Sequence, residues 1–266
     1  MSMSCNSAFE ILSGDPACGL ILLADHATNR LPSDYGSLGL PPEAFERHIA
    51  YDIGVEALTR SLSARLGAPA AMSCFSRLLI DPNRGEDDPT LIMRISDGAI
   101  IPANHPLPAE EQRRRIERFH RPYHQAVSDL IADTERATGR TALVLSLHSY
   151  TPHWKGVARP WHAAVLWDSD PRAAMRLISA LRDIDGVLVG DNEPYDGALR
   201  GDTMHRHCTE KGRPHALLEI RQDEIGAADG ISLWSDRLAP IFAALNGEPD
   251  LHRTEIFPSR TDRIWG

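Results

Sequence analysis

The sequence has little of several features that mark whole classes of protein. Its 266 residues include four cysteines, none in a Cys-x-x-Cys pair, so neither a disulfide framework nor a cysteine-zinc site is expected. No apolar run is long enough to span a membrane, and the Gly-x-Ser-x-Gly elbow typical of serine hydrolases is absent. Basic residues are also few, with 28 Lys and Arg against 37 Asp and Glu. The chain therefore lacks the basic footprint of a nucleic-acid-binding protein.

The first residues do not resemble a secretory signal. Residues 1–6 read Met-Ser-Met-Ser-Cys-Asn, without a basic stretch followed by an apolar one. We therefore expect a cytoplasmic protein that binds neither membranes nor nucleic acid.

Strand and helix patterns alternate along the chain, which predicts a mainly parallel sheet with helices on both faces. We expect a single α/β domain over residues 1–266, with its core at about 15–247 and a surface tail at 248–266. Pro122 is expected to kink or divide a long helix. The strands are predicted near 20–24, 70–80, 142–147, 163–167, 187–189 and 216–220, and the helices near 49–66, 110–138, 172–181 and 231–245.

Two short strings carry the strongest indication of chemistry. They are residues 145–150 (Leu-Ser-Leu-His-Ser-Tyr) and 217–221 (Leu-Leu-Glu-Ile-Arg). Each is typical of a buried strand that presents a polar side chain at the edge of a parallel sheet. His26 follows a third such strand. Two imidazoles beside a carboxylate favour a catalytic zinc site, although a strand-end histidine can also be structural. Glu219 is costly to bury, so it either pairs with Arg221 or acts as a general base with a raised pKa.

The residue patterns are similar to the N-formylglutamate amidohydrolase family, within a zinc carboxypeptidase-like superfamily. The resemblance covers roughly residues 20–230 and implies a phosphorylase/hydrolase-like three-layer fold with one zinc ion. It also implies hydrolysis of the N-acyl amide of an amino acid. For N-formylglutamate, the substrate in the family's name, the products are formate and glutamate. The motifs are Asp25-His26-Ala27-Thr28-Asn29, Tyr51-Asp52-Ile53-Gly54, Ser76-Arg77-Leu78-Leu79-Ile80-Asp81-Pro82-Asn83-Arg84, His120-Arg121-Pro122-Tyr123-His124, His148-Ser149-Tyr150 and Glu219-Ile220-Arg221-Gln222-Asp223.

The resemblance implies that His26 and His148 hold zinc and that Glu219 moves protons. One position departs from the carboxypeptidase pattern, because Asn29 stands where that pattern has a glutamate ligand. We therefore expect Asp52 to be the third ligand, with Asp25 as the alternative. From the residues alone, Asp52 is equally a charge that favours the start of a helix.

A substrate carboxylate needs a cation, and the resemblance implies Arg84 with Asn83 for that role. The forked guanidinium of arginine binds carboxylates at two points. Arg77 is a second possible anion contact, although a structural role fits it better. Tyr150 and His207 are further candidates for substrate contact. His120 and His124 have the spacing of a helical two-His metal site, although a structural or substrate-edge role is favoured over metal binding. His205 is open between a pocket-lining and an exposed position.

The sequence thus predicts a zinc-dependent amidohydrolase that cleaves the N-formyl or N-acyl amide of an acidic amino acid. A broader N-acyl-amino-acid deacylase or a small metallocarboxypeptidase would use the same scaffold with a different pocket. A non-catalytic binding module on this fold is the least favoured alternative. The expected partner is a small-molecule substrate, and the oligomeric state is not defined by the sequence.

Overall fold

The computed structural model describes residues 7–263, in which seven strands form one mixed sheet and four more form two small hairpins. The strands are β1 (Phe9–Leu12), β2 (Leu20–Ala24), β3 (Ala70–Ser73), β4 (Ile95–Ser96), β5 (Ala99–Ile100), β6 (Leu143–Tyr150), β7 (His153–Trp154), β8 (Val157–Ala158), β9 (Ala163–Leu166), β10 (Val189–Asp191) and β11 (His215–Arg221). The helices are α1 (Val55–Leu66), α2 (Ala109–Arg115), α3 (Arg121–Thr138), α4 (Pro171–Arg182), α5 (Thr203–His207), α6 (Gln222–Ile225) and α7 (Ala228–Asn246).

The sheet is mostly parallel, in the order β1-β3-β2-β6-β11-β9-β10. Its four central strands, β3, β2, β6 and β11, run in one direction. At one edge β1 is antiparallel to β3, and at the other β9 and β10 run against β11. Helices cover both faces, so the predicted α/β fold is confirmed.

Alternate residues of β2 show how the layers are held together. Leu20 and Leu22 pack on the face that carries α1, α4 and α7. Ile21 and Leu23 pack on the opposite face, against side chains of α3. All five residues of this strand are buried, which explains why its sequence is a continuous apolar run rather than an alternating one. Each leucine buried in this way contributes about 1.5–3 kcal/mol to stability.

The long helix expected near 110–138 is divided where the sequence predicts. A π-helical turn at Ile116–His120 separates α2 from α3, and Pro122 is the second residue after it. Proline has no N–H to donate to the preceding turn, and wide turns of this kind are frequent at functional sites. Here the turn contains His120, and His124 lies one turn further along the helix.

Several boundaries differ from the sequence prediction. The first helix begins at Val55 rather than at residue 49, because Gly54 adopts a φ of +86° and ends the preceding turn. The strand expected over 70–80 ends at Ser73. Neither β1 nor α5 was expected, and both are too short to produce a periodic pattern.

The C-terminal residues are packed rather than loose on the surface. Leu251 and His252 are buried, and the Arg260 backbone N–H donates to Asp168 at 2.8 Å. Residues 1–6 and 264–266, which the predicted domain includes, lie outside the described residues. Within residues 7–263, no helix combines the length and apolar composition needed to cross a membrane.

Candidate active site

Three neighbouring strands bring the polar strand-end residues together. His26 lies two residues beyond the end of β2, His148 lies in β6, and Glu219 lies in β11. Because β6 pairs with both other strands, its histidine is flanked by the other two side chains. His148 and Glu219 are direct register partners across the parallel ladder. The shared strand direction places all three at one edge of the sheet.

Two imidazoles and one carboxylate converge within this group. The Nδ1 atom of His148 lies 2.8 Å from Oδ2 of Asp52, and the Nδ1 atom of His26 lies 3.4 Å from the same oxygen. One ligand atom from each of these three buried residues lies within 4.8 Å of the others. The turn before α1 positions Asp52, whose backbone N–H donates to the carbonyl of His26 at 2.9 Å.

The outer nitrogen of each imidazole meets a second carboxylate. Nε2 of His26 lies 2.6 Å from Asp81, and Nε2 of His148 lies 3.1 Å from Asp25. A carboxylate only accepts, so each Nε2 donates a hydrogen to its carboxylate; with a metal ion bound between them, both Nδ1 lone pairs would face it together with Asp52. Three electron-rich atoms converge favourably only around a proton or a cation. Carboxylates behind metal-binding histidines orient them in this way, so the three residues fit a divalent metal ion such as zinc.

Asp25 therefore lies behind a candidate ligand and is not placed as one. Its side chain accepts hydrogen bonds from the hydroxyls of Tyr123 and Thr203, both at 2.8 Å, as well as from His148. Burial alone would raise the pKa of Asp25, but the His148 imidazole overcomes that effect and lowers it to about 2. The geometry thus favours Asp52, the first choice from the sequence, over the alternative.

Glu219 is a buried carboxylate that lacks a partner for one of its oxygens. Among the described residues, nothing hydrogen-bonds to its Oε2 atom. Burial raises the pKa of Glu219 to about 7, although the nearby His148 charge opposes the shift. The ion pair with Arg221 does not form, because that guanidinium bonds to Asp223 at 2.7 Å and to backbone carbonyls. A carboxyl with a pKa near neutrality is suited to accept and return a proton.

A cavity of about 310 Å³ opens over these side chains. Arg84 lines it and has no carboxylate within ion-pair distance among the described residues, unlike Arg77, which bonds to Asp81 at 2.9 Å. Arg84 donates instead to the carbonyl of Asn83 at 2.7 Å and to the hydroxyl of Thr90 at 3.2 Å. The lining residues include His26, Asp52, Arg77, Asn83, Arg84, His148, Tyr150 and Glu219 from the sequence analysis, and Trp154, Tyr195 and Asp202, which it did not identify.

The structure places the remaining candidates differently. Tyr150 reaches the cavity wall, but its hydroxyl donates to the carbonyl of Trp161 at 2.5 Å. His207 is not among the lining residues, because it is buried against His124, with 2.9 Å between Nε2 and Nδ1. His205 lies 3.7 Å from Glu210 and also away from this cavity. Asp81 had no assigned role, although it follows an apolar run in the same way as His148.

Comparison with known proteins identifies the family. A model of the N-formylglutamate amidohydrolase family matches residues 18–226. The chain belongs to this family. Its members are amidohydrolases, which agrees with the hydrolytic site that the geometry favours. No curated protein sequence gives a significant match.

Two solved structures extend the comparison for this amidohydrolase. A gene product from Agrobacterium tumefaciens is 29% identical, with a TM-score of 0.83 over 91% of this chain and 95% of that one. The N-formylglutamate amidohydrolase from Ralstonia eutropha is 22% identical, with a TM-score of 0.70 over 90% of this chain and 96% of that one. Both share its fold over nearly their whole length.

Proposed function

We propose that this amidohydrolase is zinc-dependent and hydrolyses N-formyl-L-glutamate to formate and glutamate. One observation carries the proposal: a His26–Asp52–His148 cluster lies in the same cavity as a buried base and a guanidinium that has no carboxylate partner within residues 7–263. Each part has a place in amide hydrolysis, and family membership supports the substrate class.

His26, Asp52 and His148 would hold the metal. A zinc ion bound there would supply Lewis-acid activation of the amide carbonyl and of the attacking water. Because Nε2 of each histidine donates to Asp25 or Asp81, its Nδ1 would be the atom that binds the metal.

Glu219 is the proposed general base and acid. With its pKa near 7, it is ionised in a large fraction of molecules at neutral pH and accepts a proton from water. The same carboxyl then returns that proton to the departing amine nitrogen, as a general acid with a matched pKa does.

Arg84 and Asn83 are the proposed anchor for a substrate carboxylate. The Oδ1 atom of Asn83 already accepts from the Thr203 backbone N–H at 3.1 Å, which leaves its amide N–H groups as donors. Two-point binding by Arg84 beside them would hold the non-reacting end of the substrate. Fixing that end orients the amide over the metal and lowers the entropic part of the barrier.

A substrate panel combined with metal analysis tests the function. We expect about one zinc per chain and the highest kcat/KM for N-formyl-L-glutamate, with activity lost in chelator and restored by zinc. Faster turnover of N-acetyl-L-glutamate or of peptides would favour the deacylase or the carboxypeptidase instead. A zinc-loaded protein that hydrolyses none of these substrates would contradict the proposed activity on N-formyl-L-glutamate.

The cavity wall favours one second candidate, a deacylase for apolar N-acyl amino acids. Arg84 is the one lining guanidinium of the described chain without a carboxylate partner, whereas N-formylglutamate carries two carboxylates. The wall also contains apolar and aromatic side chains: Ile49, Met93, Trp154, Leu166, Tyr195 and Leu217. The ratio of kcat/KM for N-formyl-L-glutamate and N-formyl-L-leucine decides between the two.

A further inference from the structure

Three histidines outside the metal cluster lie behind the proposed carboxylate anchor, and two of them, His124 and His207, are hydrogen-bonded to each other. Nε2 of His120 lies 2.9 Å from the carbonyl oxygen of Arg84, and Nε2 of His124 lies 2.9 Å from that of Pro82. Nδ1 of His124 lies 2.9 Å from Nε2 of His207. All three side chains are buried. They therefore interact with the protein interior and not with solvent.

The chemistry of the partners fixes the direction of each bond. A backbone carbonyl only accepts, so His120 and His124 must both donate from Nε2. In its neutral form, His124 then accepts at Nδ1, and His207 is the donor to it. Burial lowers the pKa of both His120 and His124, which favours the neutral forms that this arrangement needs.

These bonds hold the peptide groups on either side of Asn83 and Arg84. Helix α5 contacts the loop that carries these two residues from another direction. The Thr203 backbone N–H donates to Asn83, and His207 hydrogen-bonds to His124. The loop also contacts the backbone just before α5, where a Cβ on Gly201 would lie 3.0 Å from the Cα of Gly85. The dipeptide is thus fixed by contacts from two helices.

A second metal site does not explain this group. The Nε2 atoms of His120 and His124 are both occupied by carbonyl oxygens. Among the described residues, one group of three His, Cys, Asp or Glu side chains has its ligand atoms close enough to share an ion. That group is His26, Asp52 and His148. The bonds to Pro82 and Arg84 therefore point to a role in holding the loop.

We propose that His120 and His124, supported by His207, are positioning residues that orient Asn83 and Arg84 toward the substrate carboxylate. This inference rests on the proposed function, because the orientation of Arg84 affects KM only when the substrate carries a carboxylate. The histidines do not touch the substrate. Their loss should weaken substrate binding more than it slows the chemical step.

The test compares variants that remove the donor with variants that keep one. His120→Leu and His124→Leu remove the N–H, whereas His120→Gln and His124→Gln place an amide N–H at a similar reach. We expect the leucine variants to raise KM for N-formyl-L-glutamate roughly five- to tenfold, with kcat within about twofold of wild type. The glutamine variants should recover most of that loss, and zinc content should be unchanged in all four.

His252→Leu is the matched control. This histidine is also buried and also bonds to carbonyl oxygens, of Thr141 at 3.0 Å and Asn246 at 2.8 Å, but neither carbonyl belongs to the loop that carries Asn83 and Arg84. Its loss should reduce stability without changing KM. If His120→Leu and His124→Leu do not fold, His207→Leu takes their place, since it removes only the donor to His124. A smaller rise in KM is then expected.

Hydrogen exchange of the loop gives a readout that is independent of turnover. In the zinc-loaded protein without substrate, the backbone amides of residues 83–91 should exchange several-fold faster in the leucine variants than in wild type. In His252→Leu their exchange rates should equal those of wild type. Unchanged exchange and KM in a folded leucine variant, or glutamine variants no better than leucine, would overturn the inference. If wild type hydrolyses no N-formyl substrate, the proposed function fails, and loop exchange alone decides whether these histidines hold the dipeptide.

Discussion

At the residue scale, Glu219 shows how a side chain whose burial costs free energy indicates a catalytic role. A buried carboxylate without a full set of partners destabilises the fold, and here burial raises its pKa to about 7. The neighbours Leu218 and Ile220 pack in the core on the opposite face of the sheet, so the Glu219 carboxyl meets only the cavity on its own face. A group of this kind is retained at the expense of stability, which is common at catalytic positions.

We expect Glu219→Gln to retain zinc and lose nearly all turnover. The amide keeps the shape of the side chain but accepts no proton at neutral pH, so kcat should fall by a factor of about 10²–10⁴. Metal content and kcat, measured on the same preparation, test this. Turnover close to wild type in the zinc-loaded variant would remove this residue from the proposed mechanism.

We expect Asp25→Asn to weaken zinc binding although Asp25 touches no metal. The carboxylate accepts from Nε2 of His148 at 3.1 Å and fixes the tautomer that points Nδ1 at Asp52. Loss of such a partner weakens metal binding about 10- to 100-fold. Competition with a chromogenic chelator measures the affinity. Asp236→Asn, at an exposed ion pair with Arg65, is the control and should leave the affinity unchanged.

The sequence shows which side chains end buried strands, and the structure brings three of them together. It does not show which atom of each imidazole faces which carboxylate. Asp81 follows the buried residues Leu79 and Ile80 just as His148 follows Leu147. Only the fold shows that Asp81 lies behind His26. Roles that depend on one ring nitrogen require side-chain geometry that no one-dimensional pattern contains.

At the element scale, the turn before α1 depends on a single glycine. Gly54 has a φ of +86°, and a Cβ there would lie 2.2 Å from the carbonyl oxygen of Ile225. The apolar periodicity of the sequence continues through residues 49–53, which is why the helix was expected to begin six residues earlier. Packing against α6 ends the turn at this glycine instead, and the turn is what presents Asp52 to the histidines.

We expect Gly54→Ala to destabilise the protein by about 2 kcal/mol or more. A side chain at this φ is strained, and its Cβ would also overlap the backbone of Ile225. Gly67→Ala, at the other end of the same helix, is the matched control. It has a φ of +63°, and nothing in the described chain lies within 4 Å of its added Cβ, so we expect about 1 kcal/mol. Urea unfolding measures both, and equal losses would contradict the overlap.

At the scale of the whole molecule, one buried carboxyl makes the free energy of unfolding depend on pH. Burial raises the pKa of Asp202 from its usual 3.8 to about 7. Between these values, the folded state keeps a proton that the unfolded chain has lost. The contribution of Asp202 to stability therefore falls as pH rises from about 4 to 7 and stays at its lowest level above that.

We expect Asp202→Asn to remove this part of the pH dependence. The amide oxygen can still accept from the His205 backbone N–H, the bond that caps α5 at 2.7 Å. Relative to wild type, the variant should gain stability steadily from pH 4 to 7, reaching about 4 kcal/mol. Urea unfolding at several pH values in chelator measures the difference. A difference that is constant across this range would contradict the raised pKa.

Metal binding should stabilise the whole fold because it joins segments that are distant in the chain. His26, Asp52 and His148 lie on three separate elements, so the unfolded chain cannot hold the ion in the same way. At free zinc near 1,000 times Kd, linkage gives about 4 kcal/mol, or roughly 10 °C in Tm for a chain of this size. Thermal unfolding with chelator and with zinc measures the shift. His148→Ala should abolish the zinc-dependent shift, and an equal shift in that variant would show that zinc stabilises the protein from another site.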